Sequence, residues 1–401
     1  IRDSTDDLVN DLRTPHFRSR QSDDSFDLSM SGDGDRRRFP SLWLGISVAC
    51  LTALGLVLGT LDGAPPATGV RALEESAAST PGEPDPAAAT ADTESPAQPT
   101  TTVAPIDPVL VAGASIPPLA DLISRVGGGR VEVVSVVPQG VDGHTYEPTP
   151  SDVADITRSD INFFASVDLN PAVTDMVLAN KPEGAFTVDL LQATVSEDEA
   201  IADNVHSHGS GNDHAHVNVH TWTDPTIALR WVKEIRARLS ELDPAGADTY
   251  AANAADLRAQ IRSLHEATEA ATATVPSEFR TLVVYHDSWS YFGRTYGYEV
   301  LGALQAADFA EPSAAEVGNM VEQVRNAGVP AFFGAAVFPV EVLERVSEEA
   351  GVPYVADLAD DELPGQPGDP EHSYVGMMVE NVRHIVTSLG GNAAALDEVT
   401  L

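Results

Sequence analysis

The chain has 401 residues, with 61 Asp or Glu against 23 Lys or Arg, which gives a formal net charge of −38. This charge repels phosphate backbones, and the sequence contains no basic stripe, so we expect no nucleic-acid binding. Cys50 is the only cysteine, which excludes a disulfide within the chain. The folded part must therefore be stabilised by its own apolar core.

The first 61 residues predict a membrane anchor. Residues 1–38 are polar and aperiodic, which predicts a disordered cytoplasmic tail, and three arginines precede the uncharged apolar run at residues 39–61. Since about 20 apolar residues span a bilayer and arginines stay on its cytoplasmic side, we expect a transmembrane helix with the rest of the chain outside. The alternatives are a cleaved signal peptide and a lipoprotein signal acylated at Cys50, which the preceding residues fit poorly.

The remainder predicts a spacer followed by an α/β fold. Residues 62–105 are rich in Ala, Pro, Thr and Glu, which is typical of an extended spacer. From about residue 106, strand and helix patterns alternate, which favours mainly parallel sheets flanked by helices. The predicted strands are residues 109–112, 131–137, 161–165, 280–285, 330–333 and 352–356. The predicted helices are residues 117–126, a helix from about 150, and residues 225–242, 245–274, 314–327, 340–350 and 374–389.

One long helical pattern divides this fold. An Ala-rich stretch from residue 245 to about 274 would be roughly 45 Å long as a helix, enough for a rigid rod between two lobes. We therefore predict an N-terminal lobe at residues 106–243, a linking helix at 244–276 and a C-terminal lobe at 277–395.

Histidines are concentrated before this helix. Five of the eleven lie between His206 and His220, among Gly, Ser, Asn and Asp, a mixture that cannot pack a core but can bind metal. Residues 217–222 then alternate as a short strand, and Thr223-Asp224-Pro225 predicts a helix start. The upstream histidines are predicted to capture metal as accessory ligands, and the alternative is a flexible tether. They are His206, His208, His214 and His216.

Four side chains with metal-ligating chemistry follow predicted strands, where ligands bind in open α/β sheets. They are His144, His220, His286 and Asp357. Three imidazoles and one carboxylate complete a tetrahedral Zn²⁺ shell with no place for water, which favours holding the metal over hydrolysis. Singly, each histidine is more typical of an ordinary loop, and Asp357 could belong to a solvated acidic cluster with Asp360 and Asp361.

At these residues the sequence resembles the solute-binding proteins of ABC importers for zinc, manganese and iron. The matching segments are DGHTYEPTP from Asp142, VHTWTDP from Val219, HDSWSYF from His286, EPS from Glu311, and Asp357 upstream of SYVGMM. The resemblance spans about residues 108–391. It implies two lobes joined by a rigid helix, a metal buried between them, and delivery to a permease and its ATPase.

The resemblance also indicates the metal. Members with His at the third ligand position, here His286, tend to bind Zn²⁺, and imidazole suits zinc while carboxylate favours harder Mn²⁺. Mn²⁺ or Fe²⁺ remains the alternative. The chain departs from the family at Gly334-Ala335-Ala336, where an acidic residue is common, and in its apparent anchor.

We therefore expect a monomeric, membrane-tethered receptor on the extracytoplasmic face. A zinc hydrolase would need an open coordination position and a general base, and no His-Glu-x-x-His motif is present. A surface adhesin or a metal-storage protein is the other alternative.

Overall fold

Two sets of parallel strands, each flanked by helices, make up the part of the chain that the structure describes. This computed structural model describes residues 108–202, 217–301, 312–335, 337 and 340–401. The predicted tail, anchor and spacer, and the segment from His206 to His216, lie outside these residues. Among the described residues, no helix combines the length and the apolarity needed to cross a membrane.

The first sheet has four parallel strands in the order β2-β1-β3-β4. Its inner strand β3 is buried along its whole length, as expected for a sheet covered on both faces. The strands are β1 (Leu110–Ala114), β2 (Val131–Ser135), β3 (Ile161–Phe164) and β4 (Phe186–Asp189). The helices between and after them are α1 (Pro117–Gly127), α2 (Pro150–Ile156), α3 (Pro171–Asn180) and α4 (Leu190–Thr194).

Two long helices follow. They are α5 (Pro225–Leu242) and α6 (Ala247–Thr272), joined by a 3₁₀ turn at Pro244–Gly246. α6 starts two residues later than predicted because Pro244 and Gly246 form this turn. α6 packs against α5, α1 and the last helix of the chain.

The C-terminal strands pair in parallel as β5 with β6 and β7 with β8, and a parallel bridge between Val284 and Phe333 connects the two pairs. The strands are β5 (Thr281–Val283), β6 (Glu299–Leu301), β7 (Phe332–Phe333) and β8 (Tyr354–Val355). The helices are α7 (Ser290–Tyr296), α8 (Ala314–Ala327), α9 (Val340–Ala350) and α10 (Tyr374–Ser388). This confirms the α/β class with parallel sheets. The division into two lobes at residues 244–276 stays a prediction.

The predicted strand at residues 217–222 is wrong. Val217 makes only an isolated antiparallel bridge with Ala202, and Thr221–Thr223 is a 3₁₀ turn. The alternation of apolar and polar residues predicted a strand, but Asn218, one of its polar residues, is buried. Its side-chain oxygen accepts a hydrogen bond from the His220 N–H at 3.0 Å, and this contact turns the backbone.

Candidate metal centre

Three loops, each at the end of a strand or a helix start, bring histidines together. His144 lies in the loop after β2, where its N–H donates to Asp142 Oδ1 at 2.8 Å. The amide of Asn170, the residue that caps α3, donates to the carbonyl oxygens of Gly143 at 2.8 Å and Tyr146 at 2.9 Å. Because these contacts lie on both sides of His144, they fix the path of the loop that carries it.

His220 is held more tightly, with a residue exposure of 3%. Its ring Nδ1 lies 3.1 Å from Asn218 Oδ1, an arrangement that assigns Nδ1 as the protonated nitrogen and leaves Nε2 as a lone-pair donor. The Asn218 amide in turn donates to the Asp287 carbonyl oxygen at 2.7 Å. This contact ties the position of His220 to the loop that carries His286.

His286 follows β5, after the bridge that joins the two strand pairs. The N–H of the preceding Tyr285 donates to the Phe333 carbonyl oxygen at 2.9 Å, which continues the sheet up to the histidine. His286 has a residue exposure of 8%. The parallel strands therefore position the His286 imidazole in the interior of the protein.

The three imidazoles converge on one point. Nε2 of His220 lies 2.9 Å from Nε2 of His144 and 3.0 Å from Nε2 of His286, and one nitrogen from each ring lies within 4.8 Å of the others. Two nitrogens bound tetrahedrally to one Zn²⁺ would be roughly 3.3 Å apart, given bonds of about 2.0–2.1 Å. Small side-chain shifts would therefore place one metal ion in contact with all three rings.

Asp361 is the carboxylate beside this cluster. Its Oδ2 lies 4.0 Å from His144 Nε2 and accepts the Gly143 N–H at 3.1 Å. Its Oδ1 is buried and has no hydrogen-bond partner among the described residues. Burial raises the pKa of Asp361 well above its ordinary value, and the nearby Asp360 and Asp142 raise it further. Since burying an uncompensated carboxylate is costly, this arrangement fits a cation.

Gly143 is required for this approach. A Cβ at residue 143 would lie 2.7 Å from Asp361 Oδ2, a distance that real Cβ atoms do not tolerate. The glycine of the DGH segment therefore allows the carboxylate to reach the histidines.

Asp357, the predicted fourth ligand, does not join the three histidines. Its side chain is exposed and lines an open surface cavity of about 650 Å³ together with Glu362 and His384. The chain continues inward past Asp357 because Leu358 and Ala359 are buried, and Asn381 on α10 exchanges two hydrogen bonds with the backbone of Ala359. In this structure the carboxylate beside the histidines is that of Asp361, four residues after Asp357.

The predicted accessory histidines lie outside the described residues, but the two ends of their segment are placed. Ala202 bridges Val217, and the Asn218 N–H donates to the Ile201 carbonyl oxygen at 2.8 Å. The histidine-rich segment therefore leaves and rejoins the fold at adjacent points, directly before His220.

Comparisons with known proteins identify the family and the fold of this chain. The family model described as "Zinc-uptake complex component A periplasmic" (ZnuA) matches residues 113–388. The manganese-binding lipoprotein MntA of Halalkalibacterium halodurans is 27% identical over 271 residues, covering 68% of this chain and 85% of that protein. The iron-binding protein YfeA of Yersinia pestis is 25% identical over 276 residues, covering 68% and 84%.

Solved structures show the same fold. The periplasmic zinc-binding protein TroA of Treponema pallidum superposes with a TM-score of 0.62 at 24% identity, covering 70% of this chain and 99% of that one. A crystal structure of ZnuA superposes with a TM-score of 0.60 at 22% identity, with the same coverage.

Proposed function

The chain belongs to the ZnuA family of periplasmic metal-uptake components, and from this premise we propose that it is an extracytoplasmic receptor that captures Zn²⁺ and delivers it to an ABC permease. The observation that carries this proposal is the convergence of the Nε2 atoms of His144, His220 and His286, with contacts of 2.9 and 3.0 Å. Metal here is cargo, and no reaction is performed on it.

The proposed ligand set is three histidines with Asp361 in place of Asp357. Asp361 supplies a buried carboxylate whose Oδ1 has no partner within the described residues and whose Oδ2 lies 4.0 Å from His144 Nε2. A divalent ion would compensate this charge and that of Asp142, which burial also leaves with a raised pKa. With all four coordination positions taken by protein, water has no position from which to react, which suits capture and release.

Zinc is the proposed cargo because three of the four ligands are imidazoles, which suit the borderline Zn²⁺ better than the harder Mn²⁺. Manganese is the second candidate. It is favoured by relatives named for manganese, such as MntA, and Asp361 gives the site one ligand of the type that manganese prefers.

The receptor is proposed to work on the extracytoplasmic face, beside a permease and its ATPase. Relatives named lipoproteins, such as MntA, support this location. Residues 39–61 as a membrane anchor, with lipid at Cys50 as the alternative, remain a prediction outside the described residues.

The test is metal content. The full-length protein is purified in detergent without an affinity tag, and its metals are measured by mass spectrometry after equilibration with equal amounts of zinc and manganese. One tightly held zinc per chain is expected. Manganese in its place would transfer the assignment to the second candidate, and a chain that retains neither metal would refute the receptor function.

A further inference from the structure

Four cationic side chains in the described part of the chain make neither a hydrogen bond nor an ion pair, and all four lie on two adjacent helices. They are Lys233 and Arg236 on α5 and Arg258 and Arg262 on α6, which together we call the basic patch. Every other described Lys or Arg contacts an oxygen atom. These paired residues are Arg125, Arg130, Arg158, Lys181, Arg230, Arg238, Arg280, Arg294, Arg325, Arg345 and Arg383.

The basic patch is contiguous. α5 and α6 are joined by the turn at Pro244–Gly246 and pack along one another. Residues three or four apart are neighbours on a helix surface, which places Lys233 beside Arg236 and Arg258 beside Arg262. Burial lowers the pKa of Arg258, and the charges of Arg262 on α6 and Arg236 on α5 lower it further. Arg258 is therefore close enough to both helices' cations for the two pairs to form one patch.

This clustering is unfavourable in the isolated protein. Like charges repel at this spacing, and Nε of Arg258 is buried without an acceptor among the described residues. Carboxylates are abundant in a chain with 61 of them, yet Glu266, one turn beyond Arg262, makes no ion pair with it. An external anion would relieve this repulsion.

We propose that the basic patch binds a phosphate-bearing anion. A phosphate carries up to two charges and three acceptor oxygens, so it can accept from several guanidinium groups at once, whereas a carboxylate matches one. The surrounding acidic surface does not prevent this contact, because exposed charges are screened beyond about 8 Å at physiological ionic strength. Free phosphate and a phospholipid headgroup share this chemistry.

The test uses the full-length protein and two probes. In the first arm, inorganic phosphate is titrated against chloride at matched ionic strength, and binding is followed by calorimetry. In the second, binding of the soluble headgroup glycerophosphoglycerol is compared with binding of glycerophosphocholine, because the predicted anchor would carry the full-length protein into vesicles of either lipid. The patch variant is Arg258→Gln/Arg262→Gln. The matched control, Arg345→Gln/Arg383→Gln, removes the same charge elsewhere.

Saturable binding of phosphate, or of glycerophosphoglycerol alone, is expected for the wild type and the control, and the patch variant should bind at least about tenfold more weakly. The first result identifies free phosphate as the ligand and the second identifies the headgroup. No saturable binding in either arm, or equal losses in the patch variant and the control, would overturn the proposal. Equal binding of polyglutamate would also overturn it, in favour of an acidic peptide. An unchanged or higher melting temperature and unchanged zinc content show that the patch variant is folded.

Discussion

Asn218 Oδ1 accepts from the backbone N–H of His220 at 3.0 Å and lies 3.1 Å from Nδ1 of the same residue. One amide oxygen thus fixes both the backbone and the ring of the central histidine. Hydrogen bonds of this kind orient metal-ligating histidines and set which nitrogen faces the metal.

Replacing Asn218 with Ala should weaken zinc binding by about 10–100-fold, because partners of ligating histidines typically contribute that much. Asn218→Asp keeps the acceptor for His220 but loses the donor to the Asp287 carbonyl oxygen, so it should restore only part of the affinity. Competition with a fluorescent zinc chelator measures both variants. The positioning role would be refuted if the Ala and Asp variants bound zinc equally.

His220 should be the most sensitive ligand, because it contacts both other imidazoles. We expect His220→Ala to lose zinc affinity by more than about 100-fold, beyond the range for residues that merely support a ligand. The matched control is His384→Ala in the exposed cavity near Asp357, which should retain wild-type affinity. Unchanged affinity in the His220 variant would remove it from the site.

The variants Asp361→Asn and Asp357→Asn test which carboxylate binds the metal. Asp361 lies beside the histidines, and Asp357 is the ligand that the sequence predicted. The Asp361 variant should bind zinc at least about tenfold more weakly, while the Asp357 variant should be unaffected. Without metal, Asp361→Asn should be as stable as the wild type or more stable, because it removes a buried charge next to Asp360 and Asp142. Thermal melting with and without zinc gives both readouts. The reverse ranking of affinities would restore Asp357 as the ligand.

Deleting residues 203–216 should leave one tight zinc site. The deletion joins Ala202 to Val217, which already pair, through a short Gly-Ser linker, so His220 keeps its position. Zinc content and the rate of zinc uptake from dilute solution are measured on this variant and on one with all four loop histidines changed to Asn. Slower uptake with unchanged affinity would support accessory capture. Loss of the tight site from the Asn variant would place the metal in the loop instead.

Acid should destabilise the protein through Glu199, which lies in the segment before the histidine-rich loop. Arg230 holds the pKa of Glu199 at about 2, below its ordinary value of 4.5. A lowered folded-state pKa stabilises the protein above pH 4.5, and this contribution is lost as the pH falls towards 2. Both side chains are about two-fifths exposed, so the contribution to the free energy of unfolding is at most about 1 kcal/mol.

Glu199→Gln should therefore show a smaller loss of stability than the wild type between pH 4.5 and 2. Urea unfolding at several pH values measures the difference, with the exposed Glu197→Gln as the control. Parallel pH profiles for the wild type and the Glu199 variant would contradict the prediction.

The three histidines were predictable because each stands in a segment with its own turn residues. His286 follows β5, His220 precedes α5, and His144 lies in the loop between β2 and α2. Asp361 was not predictable, because Asp357, Asp360 and Asp361 are chemically alike and only the path of the loop decides among them. That path depends on Asn381, 20 residues away in sequence from Asp361 and on another element. Sequence patterns carry no information on such a contact.

The fold was predicted where elements were long and periodic, as in α5, α6 and α10. The elements β4, α4, α7 and β6 were not predicted, since segments of three to seven residues are too short to show a helical or strand period. The ten-residue helix α3 was also not predicted, because its apolar residues do not form a stripe along one face. The basic patch could also not be predicted from the sequence, because it forms only when two helices lie side by side.

Tyr374 is the first residue of α10, and it makes hydrogen bonds to residues that lie far earlier in the sequence. Its N–H donates to Asp121 Oδ2 on α1 at 2.9 Å, and its hydroxyl donates to the Trp222 carbonyl oxygen, two residues beyond His220, at 2.7 Å. During synthesis, His144, His220 and His286 leave the ribosome well before this tyrosine. The binding pocket is therefore finished only when the last helix docks, so a chain truncated before Tyr374 should hold every histidine of the site and still not assemble it.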